Sequence, residues 1–492
     1  MRILNNDQVT SHGNVAGRKD MVQILEAGLQ AADPYNNTRS MFELNGSMLR
    51  IGNPRFEADG DPGSGIDTLD LNDFDGIYVV GAGKGVQRVV KAIEDALGDW
   101  LTGGEVISKH GDELIVNRVG NTCGAHPMPD EHCVEGAKKI LELSKKVTER
   151  DLLFTIITNG GSALLTLPYD GVSIEDIRKL THLLQIEKGV HTLELNYIRN
   201  HIDQLKAGRI TRAFHPAKMY HLIGADANRG SGARNRHEYK DMGNYEYFLR
   251  TNGWLHNLPD GSTFEHAQRV VDIYDLKKDC PKSILDIIAE ANPENETMKY
   301  DEYIETDSRF FGIMPDGEVI KAASDKAREL GYTPHILSRM LITEAKNAAQ
   351  MTAAIAANID SFGEPADAPA ALLSTGEMLV TVGDSTGIGG RNQEFCLSAA
   401  MRLKGNDHIV MGSVDSDGTD GPGGLKIGGA PDCLGGAIVD GFSAIEADNA
   451  GVDIFKYLQE HSTSEPLWNL NCGLNIEHGI SVNDLTVTLI QK

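Results

Sequence analysis

The chain is 492 residues long, hydrophobic at 40%, with 53 glycines. That is enough chain for about two to three domains with cores of their own. Its formal charge of −25 argues against a general nucleic-acid binder and against binding to an anionic membrane, though it leaves room for a local basic pocket. Cys123, Cys133, Cys280, Cys396, Cys433 and Cys472 lie far apart with no C-x-x-C pair, a pattern that excludes a zinc ribbon and does not read as a disulfide framework. Residues 1–7 have no apolar signal-peptide core, and no stretch reaches the ~18 apolar residues of a membrane span. The expectation is a reduced, cytoplasmic, soluble protein, monomer or homodimer, without nucleic-acid or membrane partners.

In chain order, residues 21–32 read as an amphipathic helix, with Val22, Ile24, Leu25 and Leu29 at helical spacing. Residues 52–76, rich in Gly, Asp and Pro, read as a surface loop. A pattern then recurs: a β-rich apolar run, a glycine cluster, a helix. It appears at Ile77–Val80 with Gly81-Ala82-Gly83-Lys84-Gly85, followed by a helix through Val89, Ile93 and Leu97. It returns at 152–157 with Asn159-Gly160-Gly161-Ser162, and as strand plus loop at 408–414 with Asp415 to Gly421. Strands alternating with helices predict an α/β protein with largely parallel sheet, whose ligands sit past the carboxyl ends of strands. Residues 225–310 are more polar, and a domain boundary is expected near 308. Helices are expected at 281–290, 321–330 and 343–359, and strands at 370–374 and 485–490.

Four constellations can carry chemistry. Gly81-Ala82-Gly83-Lys84-Gly85 sits at a strand-to-helix turn, where backbone N–H groups and the helix dipole favour an anion and Lys84 adds charge. It is neither a Walker A loop nor a complete dinucleotide fingerprint, since position 86 is Val, and it also reads as a tight turn with a solvated Lys. Asn159-Gly160-Gly161-Ser162 offers a second backbone nest, or a turn with Ser162 capping a helix. The loop 384–394 delivers Arg391, Asn392 and Glu394 to a helix start, and Arg suits bidentate recognition of carboxylate or phosphate. In 415–421, three aspartates can hold a hard cation with help from substrate phosphates, or simply form a turn. Gly124 to Glu131 reads as a rigid loop with Asp130 capping the next helix. Together, glycine nests, a Lys, an Arg and an acidic loop point to phosphoryl transfer.

Several stretches, in this order and spacing, resemble the glycerate 2-kinases that carry a MOFRL C-terminal domain. They are Gly81-Ala82-Gly83-Lys84, Gly124-Ala125-His126-Pro127-Met128-Pro129-Asp130, Gly160 to Leu165, Glu194 to His201, Ser374-Thr375-Gly376-Glu377, Gly389 to Glu394, Asp417-Gly418-Thr419-Asp420-Gly421 and Val482-Asn483-Asp484-Leu485. The resemblance runs from about residue 18 to 490. It implies an α/β fold with a Rossmann-like αβα N-terminal domain (1–308), a smaller α/β MOFRL-type domain (309–492) and an active site in the cleft between them. It implies transfer of the γ-phosphate of ATP to the 2-hydroxyl of D-glycerate, with Mg2+. Lys84 and Arg391 fall on the family's catalytic positions. The resemblance further implies phosphate binding at Gly81, Gly83, Gly160, Gly161 and Ser162. Acceptor binding is expected at Asn196, Arg199, Glu377 and Asn392 and metal binding at Asp417 and Asp420; Glu377, Asp417 and Asp420 are candidates either for Mg2+ or for taking the acceptor's proton, and the resemblance does not decide between these roles.

The sequence departs from the family at Thr158-Asn159, at Asn200 and Asp203, at Ala207, at 477–481, in the stretch 223–230 with Asp226, Asn228 and Arg229, and in a long insertion after it with Arg234, Asn235, Arg236 and His237. These departures touch the acceptor more than the fold. Alternative readings are a kinase for another small hydroxy acid and a hydroxypyruvate reductase, the latter with Asp99 as the acidic residue that a dinucleotide ribose requires.

Overall fold

A computed structural model describes the chain except residues 53–60, 62, 64, 189, 191, 225–244, 315–316 and 481–482. Asp226 to Gly230, the insertion after them, Val482 and ten residues of the 52–76 stretch therefore lie outside the described residues; the rest of that stretch is not loop throughout, since residues 66–70 form a strand. The chain forms two compact units, one of residues 34–316 and one of residues 1–33 with 317–492.

The unit of residues 34–316 begins with a small antiparallel sheet of β1 (Phe42–Asn45), β2 (Met48–Gly52) and β3 (Ile66–Asp70). The main sheet holds β4 (Gly76–Ala82), β5 (Gly103–Lys109), β6 (Gly120–Gly124), β7 (Asp151–Thr158), β8 (Lys218–Gly224) and β9 (Ser308–Gly312). Its order is β6-β5-β4-β7-β8-β9 and every neighbour is parallel. Every residue of β7 is buried, as a strand covered by helices on both faces requires. The helix Val86–Leu97 turns Val86, Val89, Val90, Ile93 and Leu97 inward at helical spacing. Strand order reverses between β4 and β7, and the crevice at that switch point is where doubly wound sheets bind ligands. Both glycine loops leave from these two strands.

The other unit is built on β10 (Thr333–Ser338), β11 (Ala370–Gly376), β12 (Ile409–Asp415), β13 (Gly436–Asp440), β14 (Gly473–Leu474) and β15 (Asp484–Ile490). Their order is β10-β11-β15-β12-β13-β14. Only β10 and β11 pair in parallel; β15 lies antiparallel between β11 and β12. The expected parallel character therefore fails for this sheet. Residues 475–483, which join β14 to β15, are too few for the crossover of about a dozen or more residues that a parallel return demands.

The expected 1–308 and 309–492 division also needs correction. A cut near 308 would remove β9 from the edge of the parallel sheet. At the other end, the helix Val15–Ala31 puts Met21, Val22, Ile24, Leu25 and Leu29 into one core with Val410, Val414, Val487 and Leu489. Its Arg18 is fully buried, with Nε 2.5 Å from Asp440 Oδ2. The chain thus starts in the second sheet's unit, crosses to build the first, and returns. Among the described residues, no helix is long and apolar enough to cross a membrane.

Candidate active site

In the unit of residues 34–316, the loops after β4 and β7 are tied together. The Lys84 N–H donates to the Asn159 carbonyl at 2.8 Å, and the Thr158 hydroxyl donates to the Lys84 carbonyl at 2.8 Å. Gly83 has φ +143°, and a Cβ there would lie 1.9 Å from Thr158 Oγ1. Gly160 has φ +86°, and its Cβ would come within 3.0 Å of His126 and 3.2 Å of Lys84. Only glycine permits both the left-handed turn and this approach of two loops. Gly81 lies at the end of β4, and Gly161 opens the one-turn helix Gly161–Leu164. Gly81, Gly83, Lys84, Gly160, Gly161 and Ser162 are thus gathered at the carboxyl edge of two adjacent strands.

Ser162 does not cap that helix as its position suggests; Gly160 holds the cap position in left-handed conformation. The Ser162 hydroxyl instead shares a hydrogen bond with His256 Nε2 at 2.8 Å, and Asn196 Nδ2 approaches it at 3.5 Å. His256 is fully buried. Burial first, then Lys206 and Arg199, push its pKa well below the usual imidazole range, so the ring is neutral. Among the described residues, His256 Nδ1 and Asn196 Oδ1 are buried without a hydrogen-bond partner. Such atoms mark a place for a ligand's or a water's polar group. Nothing in the sequence around His256 pointed to it, because a lone His in a polar segment carries no spacing signal. Arg199 is buried with its Nη2 donating to Thr181 Oγ1 at 2.9 Å, and burial lowers its pKa to about 10. It faces the helical cluster around Thr181 rather than Ser162.

In the other unit, β11, β12 and β15 bring their acidic ends together: Gly376 pairs with Asp484, and Asp484 with Asp415. Arg391, first residue of the helix Arg391–Leu403, crosses this edge. Its Nε donates to Asp484 Oδ2 at 2.8 Å and its Nη2 to Asp415 Oδ2 at 2.7 Å, with Glu377 3.9 Å away. Among the described residues its Nη1 donates no hydrogen bond. Burial opposes the guanidinium charge, but Asp484 and Asp415 outweigh it and push the Arg391 pKa up. Burial pushes the Asp484 pKa up to about 6, against the pull of Arg391 and Asn392. Asn392 is buried and donates to Asp484 Oδ1 at 2.8 Å, so it braces the partner of Arg391. Sequence analysis weighed Asp415 only as one of three possible cation ligands and gave Asp484 no role; their strand ends meet Arg391 only through sheet pairing.

The expected metal pair is occupied otherwise. Asp420 caps the Arg391–Leu403 helix: its Oδ1 accepts from the Asn392 N–H at 3.2 Å and its Oδ2 from the Gln393 N–H at 2.9 Å. Asp417 Oδ1 accepts from the Thr419 N–H and hydroxyl at 2.8 and 2.7 Å. Both Asp420 oxygens and Asp417 Oδ1 thus already accept hydrogen bonds from the protein, which counts against a Mg2+ site on this pair. Asp99 lies in the turn Gly98–Trp100 before β5, at the sheet end opposite the glycine loops, and is exposed in an ion pair with Arg118. It cannot meet a ribose held at those loops.

Comparison with known proteins agrees with this architecture. Residues 20–230 match a family model described as a domain of unknown function (DUF4147), and residues 370–485 match the MOFRL family. The chain is 28% identical over 473 residues to a glycerate 2-kinase of Pyrococcus horikoshii, covering 95% of this chain and 96% of that one. It resembles the crystal structure of a glycerate kinase from Thermotoga maritima with a TM-score of 0.72 at 28% identity, covering 96% of this chain and 99% of that one. It is also 31% identical over 431 residues to a D-glycerate 2-kinase of Thermotoga maritima, covering 86% of this chain and 93% of the relative. On this similarity, the chain belongs to the glycerate kinase family and is an enzyme, a kinase.

Proposed function

We propose that the enzyme moves the γ-phosphoryl group of ATP to the 2-hydroxyl of D-glycerate, releasing ADP and 2-phosphoglycerate. One P–O bond to the β-phosphate breaks, one forms to the acceptor oxygen, and the hydroxyl proton is lost. The observation that carries this reading is the paired glycine loops at the strand-order reversal, with Lys84 between them. Gly81, Gly83, Gly160, Gly161 and Ser162 form a phosphate-binding backbone of a kind that small residues and a helix start permit. Lys84 offsets charge on the transferred group.

Arg391, oriented by Asp415 and Asp484, presents its Nη1 edge to the acceptor carboxylate or to the transferred phosphoryl group. Asn196 and its neighbour His256 hold the Ser162 hydroxyl in place, and Glu377 accepts a hydrogen bond from the acceptor or takes its proton. The Asp99 position and Val86 speak against hydride transfer. Mg2+ accompanies ATP in such reactions, but no residue here is assigned to it.

The test is ADP release from ATP with D-glycerate, with the product offered directly to enolase. An immediate enolase signal supports the reading. ADP release without that signal means another position is phosphorylated. Absence of turnover with D-glycerate, but turnover with another hydroxy acid, overturns the acceptor.

A further inference from the structure

Beyond the kinase site, the geometry points to a transition-metal site formed by His110, Asp130 and His132. We infer that it takes a borderline-soft divalent cation of the zinc class. Among the described residues, these three make the one group whose donor atoms all lie within 4.8 Å of one another. Three features support a site rather than a chance gathering.

The first is convergence. His110 Nε2 lies 2.7 Å from Asp130 Oδ2, and His132 Nδ1 lies 3.2 Å from the same oxygen. Two imidazoles thus aim one nitrogen each at a single carboxylate oxygen. Their rings meet edge to face, with centroids 5.3 Å apart and planes at 87°. In a tetrahedral zinc site with bonds of ~2.0–2.1 Å, neighbouring donors stand about 3.3 Å apart. The His132 contact matches that spacing, and the 2.7 Å His110 contact, a hydrogen bond in this structure, opens to it by a shift of about half an ångström that the exposed rings allow.

The second feature is a braced carboxylate. Asp130 Oδ1 accepts from the Ala125 N–H at 3.2 Å and from the Cys133 N–H at 3.1 Å, capping the helix Glu131–Ser144. That leaves Oδ2 turned to the imidazole pair. Outer bonds of this kind orient a metal ligand and are part of a working site.

The third is access and backing. His110 and His132 side chains are 46% and 59% exposed, so a hydrated ion reaches them. His110 follows β5 directly, and its N–H donates to the carbonyl of Gly124 at the end of β6 at 2.8 Å. His110 therefore stands on a strand end tied to β6, while Asp130 caps the helix Glu131–Ser144 and His132 lies in its first turn. Two imidazoles and one carboxylate suit zinc-class ions and not Mg2+ or Ca2+, which prefer oxygen donors. Three protein ligands leave a fourth position to water.

The same loop carries His126, whose ring faces Gly160 across the switch point. Metal bound at Asp130 would hold this loop against the phosphate-binding turn.

The test uses the full chain, stripped with chelator, and titrates Co2+ by visible absorption and Zn2+ by calorimetry. Wild type is expected to take up one more equivalent than His110→Ala/His132→Ala, and each single variant to bind at least tenfold more weakly. His182→Ala, an exposed His paired with Glu187 elsewhere in the same unit, should change nothing. Zn2+ should raise the melting temperature of wild type and not of the double variant, a readout independent of activity. Equal metal uptake by wild type and the double variant, with both folded by circular dichroism, would overturn the site. So would a loss of binding in His182→Ala as large as in His110→Ala.

Discussion

At the scale of single residues, chemistry rests on a few side chains held by backbone that only certain residues allow. Lys84→Ala is expected to lower kcat by roughly 10²–10³-fold, as removal of one charge-stabilising group does, with little change in melting temperature. Steady-state kinetics beside a thermal melt separates the two effects. Gly160→Ala forces a side chain into φ +86° beside His126 and Lys84. Its backbone cost is about 1–2 kcal/mol, and activity should fall further than that cost explains, because the added methyl presses on Lys84. Asp484 supplies a pH test. Its folded pKa of about 6 stands above the ordinary 3.8, so the folded chain binds this proton more tightly than the unfolded chain. The stability it contributes is complete below about pH 4 and is lost as pH rises through about 6. Activity should run the other way: protonation near pH 6 removes a charge that orients Arg391, giving an acid limb in kcat/KM that Asp484→Asn abolishes. A pH profile of the two proteins checks this. Lys84 and Arg391 were legible in the sequence because glycines flank them. Asp415, Asp484 and His256 were not, since each gains its partner from a segment far away in the chain.

At the scale of elements, the helix Val15–Ala31 shows what local pattern conveys and what it omits. Its apolar positions from Met21 onward were plain, whereas its start at Val15, six residues earlier, was not. Asn14 is in fact the cap, its side chain accepting from the Gly17 N–H. Burial of Arg18 follows from Asp440 at the end of β13, which no helical period reveals. Burial raises the Asp440 pKa, but Arg18 outweighs it and the net shift is downward. The stability it confers is therefore present above pH 3.8 and is lost as pH falls through its lower folded value. Arg18→Leu leaves that carboxylate buried without its counter-ion, and should cost about 3–5 kcal/mol. Adding Asp440→Asn should recover part of the loss; chemical denaturation of the single and double variants measures it.

For the whole molecule, the order of segments in the chain is not their order in space. Residues 1–33 complete the unit of residues 317–492, covering Val410, Val414 and Val487 with the apolar face of one helix. A fragment of residues 317–492 alone should expose that face and fail to unfold cooperatively, whereas joining residues 1–33 to it should restore a sharp transition. Calorimetry on the two fragments decides this. The sequence by itself determined the α/β class, the strand–glycine–helix punctuation and the cationic residues behind glycines, because each is written in neighbours within a few positions. It also carried the family, since motif order survives where single motifs are ambiguous. Tertiary structure alone decided that β15 enters antiparallel between β11 and β12, that Asp420 caps the helix Arg391–Leu403, and that the helix Val15–Ala31 belongs with the last strands. Those outcomes turn on which distant segment satisfies a buried charge, a backbone donor or an apolar face, and local periodicity holds no record of that choice.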